Sequence, residues 1–565
     1  MKQGAFTFVL HSHLPYCRLA GRWPHGEEWL HEAASETYIP LLNALYDLVE
    51  GGYPIRLTIG LTPVLAEQLA DALVLDHLAS YLEEKCEAAE RDIGRFEASD
   101  DRHRAYLALY YRDWYVYVLR SFQERFDGDI VKAFHRLQEE GYIEILTGAA
   151  THGYLPLLGR DSSVYGQLRT GVENYRRHFG RAPRAVWLPE CAYRPAYSTA
   201  EGQMRPGLES FLAALDLRLF FSEAHAIEGG QPVGKATGDA IGPYGEVKRH
   251  YVVAPSGSLA SETRTTYQPY YVLETAGGGG QHSGVAVIGR NNRTGMQVWS
   301  AAFGYPGDFD YREFHKKDEL SGLQYWRVTR AGGGLGDKDL YHPHWAREKA
   351  NRHAEHFANL VEELLVQYHA QSGRFGIIAS NYDAELFGHW WFEGVEWLKE
   401  VLRRLSESEA VELTTASDYL EKHPPTAVLA LPESSWGLGG THWSWDNDDT
   451  SWMWGRIHEA EARMETLVGH YPEAVSDGEA LLNQAARELL LLQASDWPFL
   501  VTTGQAREYA TQRFNEHLTR FSQLAALAES RAMSEGAVLA AKLYEQDKVF
   551  PDIDYRWFGP SYRGR

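Results

Sequence analysis

The chain has 565 residues, of which 44% are hydrophobic and 23% charged, a composition ordinary for a globular protein of more than one domain. Its formal net charge of -22 opposes binding to nucleic-acid phosphates and to anionic membranes, and a neutral substrate fits better. The 17 Trp and 33 Tyr are less ordinary, because flat rings with a polar edge can line a groove, although most such rings serve core packing.

The N-terminus and the cysteines predict the compartment. The opening MKQGAFTFVLHSHLPY enters a strand-like run with no small-residue cleavage site after it, and no stretch of about 18 apolar residues is present. Cys17, Cys86 and Cys191 are odd in number and lack CxxC spacing, which argues against a disulfide framework and a cysteine zinc site. We therefore expect a cytoplasmic protein with structural thiols.

Short apolar runs predict buried parallel strands, each followed by a helix-like stretch, as a β/α barrel requires. Most runs end in polar or aromatic residues, which places the chemistry where the carboxyl ends of the strands gather. The predicted strands are residues 6–10, 55–59, 143–146, 185–188, 218–221, 285–288 and 375–379.

Three segments depart from the strand and helix alternation. Residues 65–140 are rich in Glu, Arg, Leu and Tyr with helical periodicity, which predicts a helical insertion in the barrel. Residues 229–284 are rich in Gly, Ser, Thr and Tyr and predict a mobile loop region. After about residue 425 the pattern changes to long helices. We expect a catalytic domain over 1–425 and an all-α C-terminal domain over 426–565, which completes the acceptor groove.

His11 and His13 alternate along the first predicted strand, so both side chains point to the same side. Such a pair can hold a metal, but no matching Asp and His ligands stand out with helical spacing. Two alternatives remain open: with His152 these imidazoles donate hydrogen bonds to a substrate, or they are structural.

Two acids stand at predicted strand ends. Cleaving an acetal without a metal takes two carboxyl groups, one to attack and one to pass a proton. Glu190 follows AVWLP, and Asp383 follows FGIIASNY in the segment SNYDAELFGHWWFEG. Such a density of polar and aromatic groups is costly for folding unless it serves a site. Glu385 is the second candidate for the acid, or a residue that sets the pKa or orientation of its neighbour.

The segment SSWGLGGTHWSWDNDDTSWMW, residues 434–454, contains five tryptophans that follow no helical period. This pattern favours a loop over a groove, whose rings stack on a bound chain and exclude water, over a core helix. An aromatic plug between two domains is the alternative.

At these motifs the sequence resembles the family 57 glycoside hydrolases, and among them the members that branch α-1,4-glucan. The resemblance covers nearly the whole chain and is specific in combination. The blocks that carry it are HSHLPY, GYIEILTGAATHGYLPLL, AVWLPECAYRP, GRNNRTGMQVWS leading into GYPGDFDYREFH, SNYDAELFGHWWFEG, SSWGLGGTHWSWDN and the closing FPDIDYRWF.

The resemblance implies an α/β fold, an incomplete (β/α)7 barrel with an inserted helical domain and an all-α C-terminal domain. It implies a retaining reaction on α-1,4-glucan such as amylose, amylopectin or glycogen, with transfer to a 6-hydroxyl. Glu190 takes the nucleophile position and Asp383 the acid/base position. No metal or organic cofactor is expected.

The resemblance also implies the substrate contacts. His11 and His152 match histidines around the donor glucose. A tyrosine of the 229–284 region is expected to cover the site, with Tyr244 and Tyr251 as candidates. The remaining candidate substrate-binding residues are His13, Arg290, Trp299, His389, Trp390, Trp436, Trp445 and Asp496.

Three other functions stay open. The first is an α-amylase or 4-α-glucanotransferase of the same family, with the same chemistry and another acceptor. The second is a metal-dependent deacetylase-like hydrolase that uses His11 and His13. The third is a glucan-binding protein without catalysis. Neither a nucleic-acid nor a membrane partner is expected, and a monomer is favoured.

Overall fold

The structure is a computed structural model that describes residues 2–22, 24–200, 202–229, 264–274, 282–300, 304–330 and 332–560, and the backbone alone over 238–242 and 245–249. Among these residues, no helix combines the length and the apolar character that crossing a membrane demands.

Seven parallel strands form the barrel. They are Gly4–Ser12, Leu57–Leu61, Ile143–Gly148, Val186–Trp187, Leu219–Ser222, His282–Gly289 and Gly376–Asp383, called the first to the seventh barrel strand below. The first strand pairs with the second and the seventh, the second with the third, the third with the fourth, and the fifth with the sixth. The predicted fold class is confirmed, and all seven predicted runs form strands.

Two seams of the barrel are nearly open. Single parallel bridges, Ala185 with Leu219 and Arg290 with Ala379, join the fourth strand to the fifth and the sixth to the seventh. All nine residues of the first strand are buried. That burial explains its continuous apolar run, because a parallel strand covered on both faces has no solvent side to alternate with.

Short strands and helices surround the barrel. Val411–Leu413 pairs with the first strand, Tyr270–Leu273 lies antiparallel to the sixth, and Val428–Leu429 pairs with Tyr270–Leu273. The helices up to residue 425 are Glu27–Ala33, Ile39–Glu50, Pro63–Leu69, Ala72–Ala98, Arg102–Arg120, Ile130–Glu139, Asp161–Phe179, Leu208–Ala214, Ala224–Glu228, Asn292–Trp299, Pro343–Ser372, Gly394–Glu407 and Ala416–Lys422. Ala34–Tyr38 and Ser121–Arg125 are π-helical turns.

The segment expected to be a helical insertion contains two long helices, Ala72–Ala98 and Arg102–Arg120. Each has an aspartate cap: Asp71 accepts a hydrogen bond from the Val74 amide at 3.1 Å, and Asp101 accepts one from the Arg104 amide at 3.1 Å. Such caps satisfy amides that the helix itself leaves unpaired.

The C-terminal part is helical in the region described, with helices Ser451–His470, Asp477–Leu492, Asp496–Thr503, Arg507–Glu529 and Met533–Gln546. The domain boundary at 425 stays a prediction, since Val428–Leu429 still pairs with a strand beside the barrel.

The 229–284 region is described only in part. Its described backbone includes the antiparallel strands Gly238–Gly242 and Gly245–Arg249 as well as Tyr270–Leu273, so it is not a loop throughout. Tyr244 and Tyr251, the candidates for a tyrosine that covers the site, lie outside the described residues.

Candidate active site

Glu190 lies just beyond the fourth barrel strand in a backbone conformation that side chains rarely adopt. Its φ is 61° and its ψ 25°, and the next residue, Cys191, has a φ of 50°. His152, beyond the third strand, has a φ of 57°. Left-handed conformations of non-glycine residues are strained, and such strain concentrates where a side chain must be aimed at a site.

Two contacts from one tryptophan hold Glu190. The indole N–H of Trp436 donates to Oε2 of Glu190, and the backbone amide of Trp436 donates to the Glu190 carbonyl at 3.0 Å. His152 Nδ1 lies 3.9 Å from Oε1, and the Glu190 side chain is 17% exposed. The carboxylate is therefore oriented from one side and still accessible from another.

Three histidines stack beside Glu190. His13 and His152 have ring centroids 3.9 Å apart at an interplanar angle of 18°, and His11 and His152 share a hydrogen bond of 3.1 Å between their Nε2 atoms. His11 also stacks on Trp187, with centroids 4.7 Å apart. The structure thus brings together the three histidines that the sequence singled out.

Asp383 ends the seventh barrel strand directly beside this stack. In the parallel pairing of the first and seventh strands, the register partner of Asp383 is His11. Neighbouring strands lie about 4.8 Å apart, so Asp383 and His11 share one point of the barrel rim. His11 in turn touches Trp187 and His152, the neighbours of Glu190. Asp383 and Glu190 are therefore connected through His11 and His152, since His152 Nδ1 lies 3.9 Å from Oε1 of Glu190.

The C-terminal helices complete the site. The Asp496 carboxylate accepts a hydrogen bond of 3.0 Å from His13 Nε2, and the Ser495 hydroxyl lies 2.9 Å from His152 Nδ1. Burial alone would lower the pKa of His13, but the charge and hydrogen bond of Asp496, with the charge of Glu190, raise it above 6.5. A cationic His13 would favour the ionised form of Glu190.

We predict that Asp496→Asn lowers the pKa of His13. The substitution removes the negative charge that most strongly opposes the effect of burial on this pKa. The raised pKa stabilises the folded state fully below the unfolded pKa of about 6.5, and this contribution is lost as the pH rises through the folded value. As the pH rises from 6 through the folded pKa of His13, the free energy of unfolding should therefore fall more for the unsubstituted protein than for the variant. Histidine-labelled NMR titration and apparent Tm values at several pH values test this.

Asp449→Asn is the matched control, since the Asp449 carboxylate is 55% exposed and pairs with Arg507 on the surface of the same helical region. It should leave the titration of His13 unchanged. An Asp496→Asn protein whose His13 titrates as before would show that this ion pair does not control the imidazole.

Glu385 lies two residues after Asp383 and is 4% exposed. Its Oε1 accepts hydrogen bonds from the Tyr38 hydroxyl and, at 3.1 Å, from the backbone amide of His13. Burial, together with the charge of Asp383, raises the pKa of Glu385 to about 8. At neutral pH Glu385 is largely protonated, so it adds no full negative charge beside Asp383.

We predict that Glu385→Gln becomes more stable relative to the unsubstituted protein as the pH rises from 5 to 8. Because the pKa of Glu385 is higher in the folded than in the unfolded state, its protonation favours the native state. This contribution is fully present below the unfolded pKa and is lost as the pH rises to the folded value of about 8. Glutamine carries no such dependence. Between pH 5 and pH 8, the unfolding free energy of Glu385→Gln minus that of the unsubstituted protein should increase by up to about 4 kcal/mol.

Denaturant unfolding at several pH values measures this difference, with Glu407→Gln as the control at a carboxylate that is 57% exposed. A difference between Glu385→Gln and the unsubstituted protein that stays constant with pH would contradict a buried, protonated Glu385.

His389 lies in a separate buried cluster. Its Nδ1 is 2.9 Å from Oε2 of Glu36, which also pairs with Arg312 at 3.0 Å. Burial alone would raise the pKa of Glu36, but Arg312 and His389 lower it to about 2. Gly388 permits this packing, since a Cβ there would lie 1.9 Å from the Glu36 carbonyl oxygen. These contacts give His389 a structural partner, and its role as a substrate ligand stays a prediction.

Trp299, Trp390 and Arg290 lie on the side of the rim where the sixth and seventh strands meet. Trp299 has its ring centroid 6.5 Å from those of Trp390 and Tyr382, the residue before Asp383. Arg290 is buried and pairs with Glu223 at 2.7 Å. The two tryptophans are only partly buried, so their predicted contact with a substrate is compatible with their position.

The tryptophan-rich segment differs from the expected loop. Trp436 and Trp445 are only 3% and 1% exposed, and Trp445 stacks on Tyr154 with centroids 4.4 Å apart. Trp452 and Trp454 belong to helix Ser451–His470. The interpretation of the whole segment as a loop over a groove is therefore wrong for its end. The alternative, an aromatic plug between two domains, agrees better with the burial of Trp436 and Trp445.

The alternative of a metal held by the first strand has little support in the geometry. Both ring nitrogens of His13 have partners, Nδ1 with the Thr62 hydroxyl at 3.1 Å and Nε2 with Asp496. Over the described ranges, the trio found with ligand atoms within 4.8 Å of one another is Glu488, His517 and Asp547 of the C-terminal region, and it includes neither His11 nor His13.

The sequence missed several residues of the site. Trp187 stands in the AVWLP motif itself, where the strand pattern could have marked it. Tyr38, Thr62 and Ser495 carry no local signal, because they reach the site only through the fold.

Comparison with known proteins identifies relatives along most of the chain. The model of glycosyl hydrolase family 57 matches residues 7–432, and that of the C-terminal domain of 1,4-alpha-glucan branching enzymes matches residues 456–558. A 1,4-alpha-glucan branching enzyme of Thermococcus kodakarensis is 45% identical over 530 residues, which are 93% of this chain and 73% of that protein.

Two solved structures resemble the chain closely. The crystal structure of a family 57 branching enzyme of Thermococcus kodakaraensis with glucose has a TM-score of 0.87 at 42% identity, covering 99% of this chain and 97% of that one. The alpha-amylase AmyC of Thermotoga maritima has a TM-score of 0.80 at 31% identity, covering 99% of each.

Proposed function

The chain belongs to glycosyl hydrolase family 57, and from this premise we propose that it is a 1,4-α-glucan branching enzyme, a retaining transferase acting on storage glucan. One observation supports the mechanism: Asp383 is the register partner of His11, whose ring is hydrogen-bonded to His152, and His152 Nδ1 lies 3.9 Å from Oε1 of Glu190. The 45% identical relative and the matching C-terminal domain model support branching as the outcome.

In the first step Glu190 attacks the anomeric carbon of a glucose unit while Asp383 protonates the departing glycosidic oxygen. The α-1,4 bond breaks, a bond between Glu190 and the sugar forms, and the shortened chain leaves with the proton of Asp383. The indole of Trp436 donates a hydrogen bond to Oε2 of Glu190 and so orients the carboxylate for the attack.

In the second step Asp383, now a carboxylate, takes the proton of the 6-hydroxyl of another glucan chain. That oxygen attacks the anomeric carbon from the face the leaving group vacated, Glu190 departs, and an α-1,6 branch results. Water in place of the hydroxyl gives hydrolysis, so acceptor binding and water exclusion decide the outcome.

We also propose glycogen biosynthesis in the cytoplasm, with amylose, amylopectin and glycogen as substrates and one chain as the working unit. Cys17, Cys86 and Cys191 are free thiols, which suits a reducing compartment. Ser495 and Asp496 of the C-terminal helices reach His152 and His13 beside Glu190, which supports a site assembled within one chain.

The test is incubation with amylose, followed by proton NMR, debranching and chain-length analysis of the products. Branching gives an α-1,6 anomeric signal and a set of released side chains. Linear products of altered length would indicate 4-α-glucan transfer, and short sugars alone would indicate an amylase. Either result would overturn the branching proposal.

A further inference from the structure

A row of exposed aromatic side chains lies on the surface formed by helix Arg102–Arg120 and residues 304–330 and 332–345. Phe309 is 49% exposed, Trp345 48% and Tyr106 43%. Single exposed apolar residues are ordinary, whereas contiguous exposed apolar side chains are typical of ligand-binding or interaction surfaces.

The first half of this row is held together by Arg327. Its Nη1 donates a hydrogen bond of 3.1 Å to the Phe309 carbonyl, and its guanidinium carbon lies 5.9 Å from the centroid of the Trp345 ring. Trp345 in turn stacks on His342, with centroids 3.7 Å apart and planes 24° apart. The indole is thus backed by a second flat ring, which fixes its orientation while one side stays exposed.

The second half of the row belongs to the helical insertion. The His103 ring meets His342 edge to face at 4.4 Å and Tyr106 at 6.3 Å, and His103 Nε2 donates a hydrogen bond of 2.8 Å to the Tyr341 carbonyl. We call the five residues Phe309, Trp345, His342, His103 and Tyr106 the ring track.

Polar groups accompany the rings. Arg327 pairs with Asp339 at 2.7 Å and with Asp310 at 3.7 Å. The Asp339 side chain is 61% exposed, and Arg327 Nε is buried without a hydrogen-bond partner in the described part of the chain. A flat apolar face beside carboxylate and guanidinium groups matches the C–H face and hydroxyl edge of a pyranose. The carboxylates and the net charge of -22 disfavour an anionic ligand.

We propose that the ring track binds a stretch of α-1,4-glucan that is not undergoing reaction, as a binding site additional to the catalytic rim. This inference rests on the proposed function for the identity of the sugar. A linear polymer suits this chain of neighbouring rings, because successive glucose units can contact successive side chains. A chain held there stays bound to the enzyme, which raises the local concentration of its other segments at the catalytic rim.

The test compares Trp345→Ala with the unsubstituted full-length protein in native gels containing glycogen. Losing the stacked indole should raise the apparent Kd for glycogen roughly threefold to tenfold. The KM for long amylose should rise, whereas kcat and KM for a maltooligosaccharide too short to reach the track should not change. Trp345→Phe should restore most of the binding, and Leu320→Ala, at a side chain that is 77% exposed, should leave it unchanged.

An unchanged Kd for Trp345→Ala overturns the proposal. So does a sedimentation profile in which Trp345→Ala abolishes an oligomer of the unsubstituted protein, because the track would then be a contact between copies. Glycogen retention requires no turnover, so the outcome is independent of the reaction. If the unsubstituted protein makes no α-1,6 bonds but needs Trp345 for retention, the proposed function fails and the ring track stands.

Discussion

Replacing Glu190 with glutamine is expected to lower kcat for both transfer and hydrolysis on the order of 10⁴-fold or more. Glutamine keeps the shape of the side chain and the hydrogen bond from Trp436 to its oxygen, but an amide cannot attack the anomeric carbon. Binding should persist, since the histidine stack and the tryptophans remain. Release of reducing ends and formation of α-1,6 bonds measure the two outcomes.

A chemical rescue tests the role directly. In Glu190→Ala, azide can occupy the space that the carboxylate leaves and attack the anomeric carbon opposite the departing oxygen. A single inversion then gives a β-glycosyl azide, which NMR identifies. Glu412→Gln, at a partly exposed carboxylate of strand Val411–Leu413 that pairs with Lys422, is the control and should react normally. A Glu190→Gln protein with a rate comparable to the unsubstituted one would place the nucleophile elsewhere.

The barrel strands could be predicted because burial leaves a direct trace in the sequence. Parallel strands with both faces covered read as continuous apolar runs, and each predicted run coincides with a strand. The bounds of several strands differ from the predicted ones. The second strand is Leu57–Leu61, two residues later than expected, and the fourth is reduced to Val186–Trp187. The ends of a strand are set by its hydrogen bonds to the neighbouring strands. An apolar run in the sequence does not show where those hydrogen bonds begin and end.

The candidate acids could be predicted because they stand directly at strand ends, where a parallel barrel gathers its chemistry. Their supporting residues could not. His13 and Asp496 are 483 positions apart, and Tyr38 and Glu385 are 347 apart. Only the packing of the C-terminal helices and of the π-helical turn Ala34–Tyr38 against the rim brings these pairs together.

The tryptophan segment shows a different limit. Alternation with glycine and polar residues excluded a single helix for most of the segment, but it could not tell which rings are buried. Trp443 is 52% exposed and Trp445 is 1% exposed, two residues apart. That difference comes from Tyr154, which offers Trp445 a stacking partner from another part of the chain.

Replacing Asp383 with alanine is expected to lower kcat on glucan about 10³-fold, because proton transfer to the leaving oxygen and from the acceptor both fail. The loss should depend on the leaving group. A glucoside with an acidic phenol needs little protonation, so its first step should stay fast and show a burst of phenol before a slow second step. Stopped-flow absorbance measures the burst.

Azide separates Asp383 from its competitor Glu385. When the acid/base residue is absent, the glycosyl-enzyme on Glu190 still forms from an activated glucoside, and azide, which needs no general base, attacks from the α face. Two inversions give an α-glycosyl azide and a faster turnover, opposite in configuration to the product of Glu190→Ala. Asp383→Ala should show both effects and Glu385→Ala neither, because the buried Glu385 carboxyl is already hydrogen-bonded to the Tyr38 hydroxyl and the His13 amide. Azide acceleration of Glu385→Ala alone would move the acid/base role to Glu385.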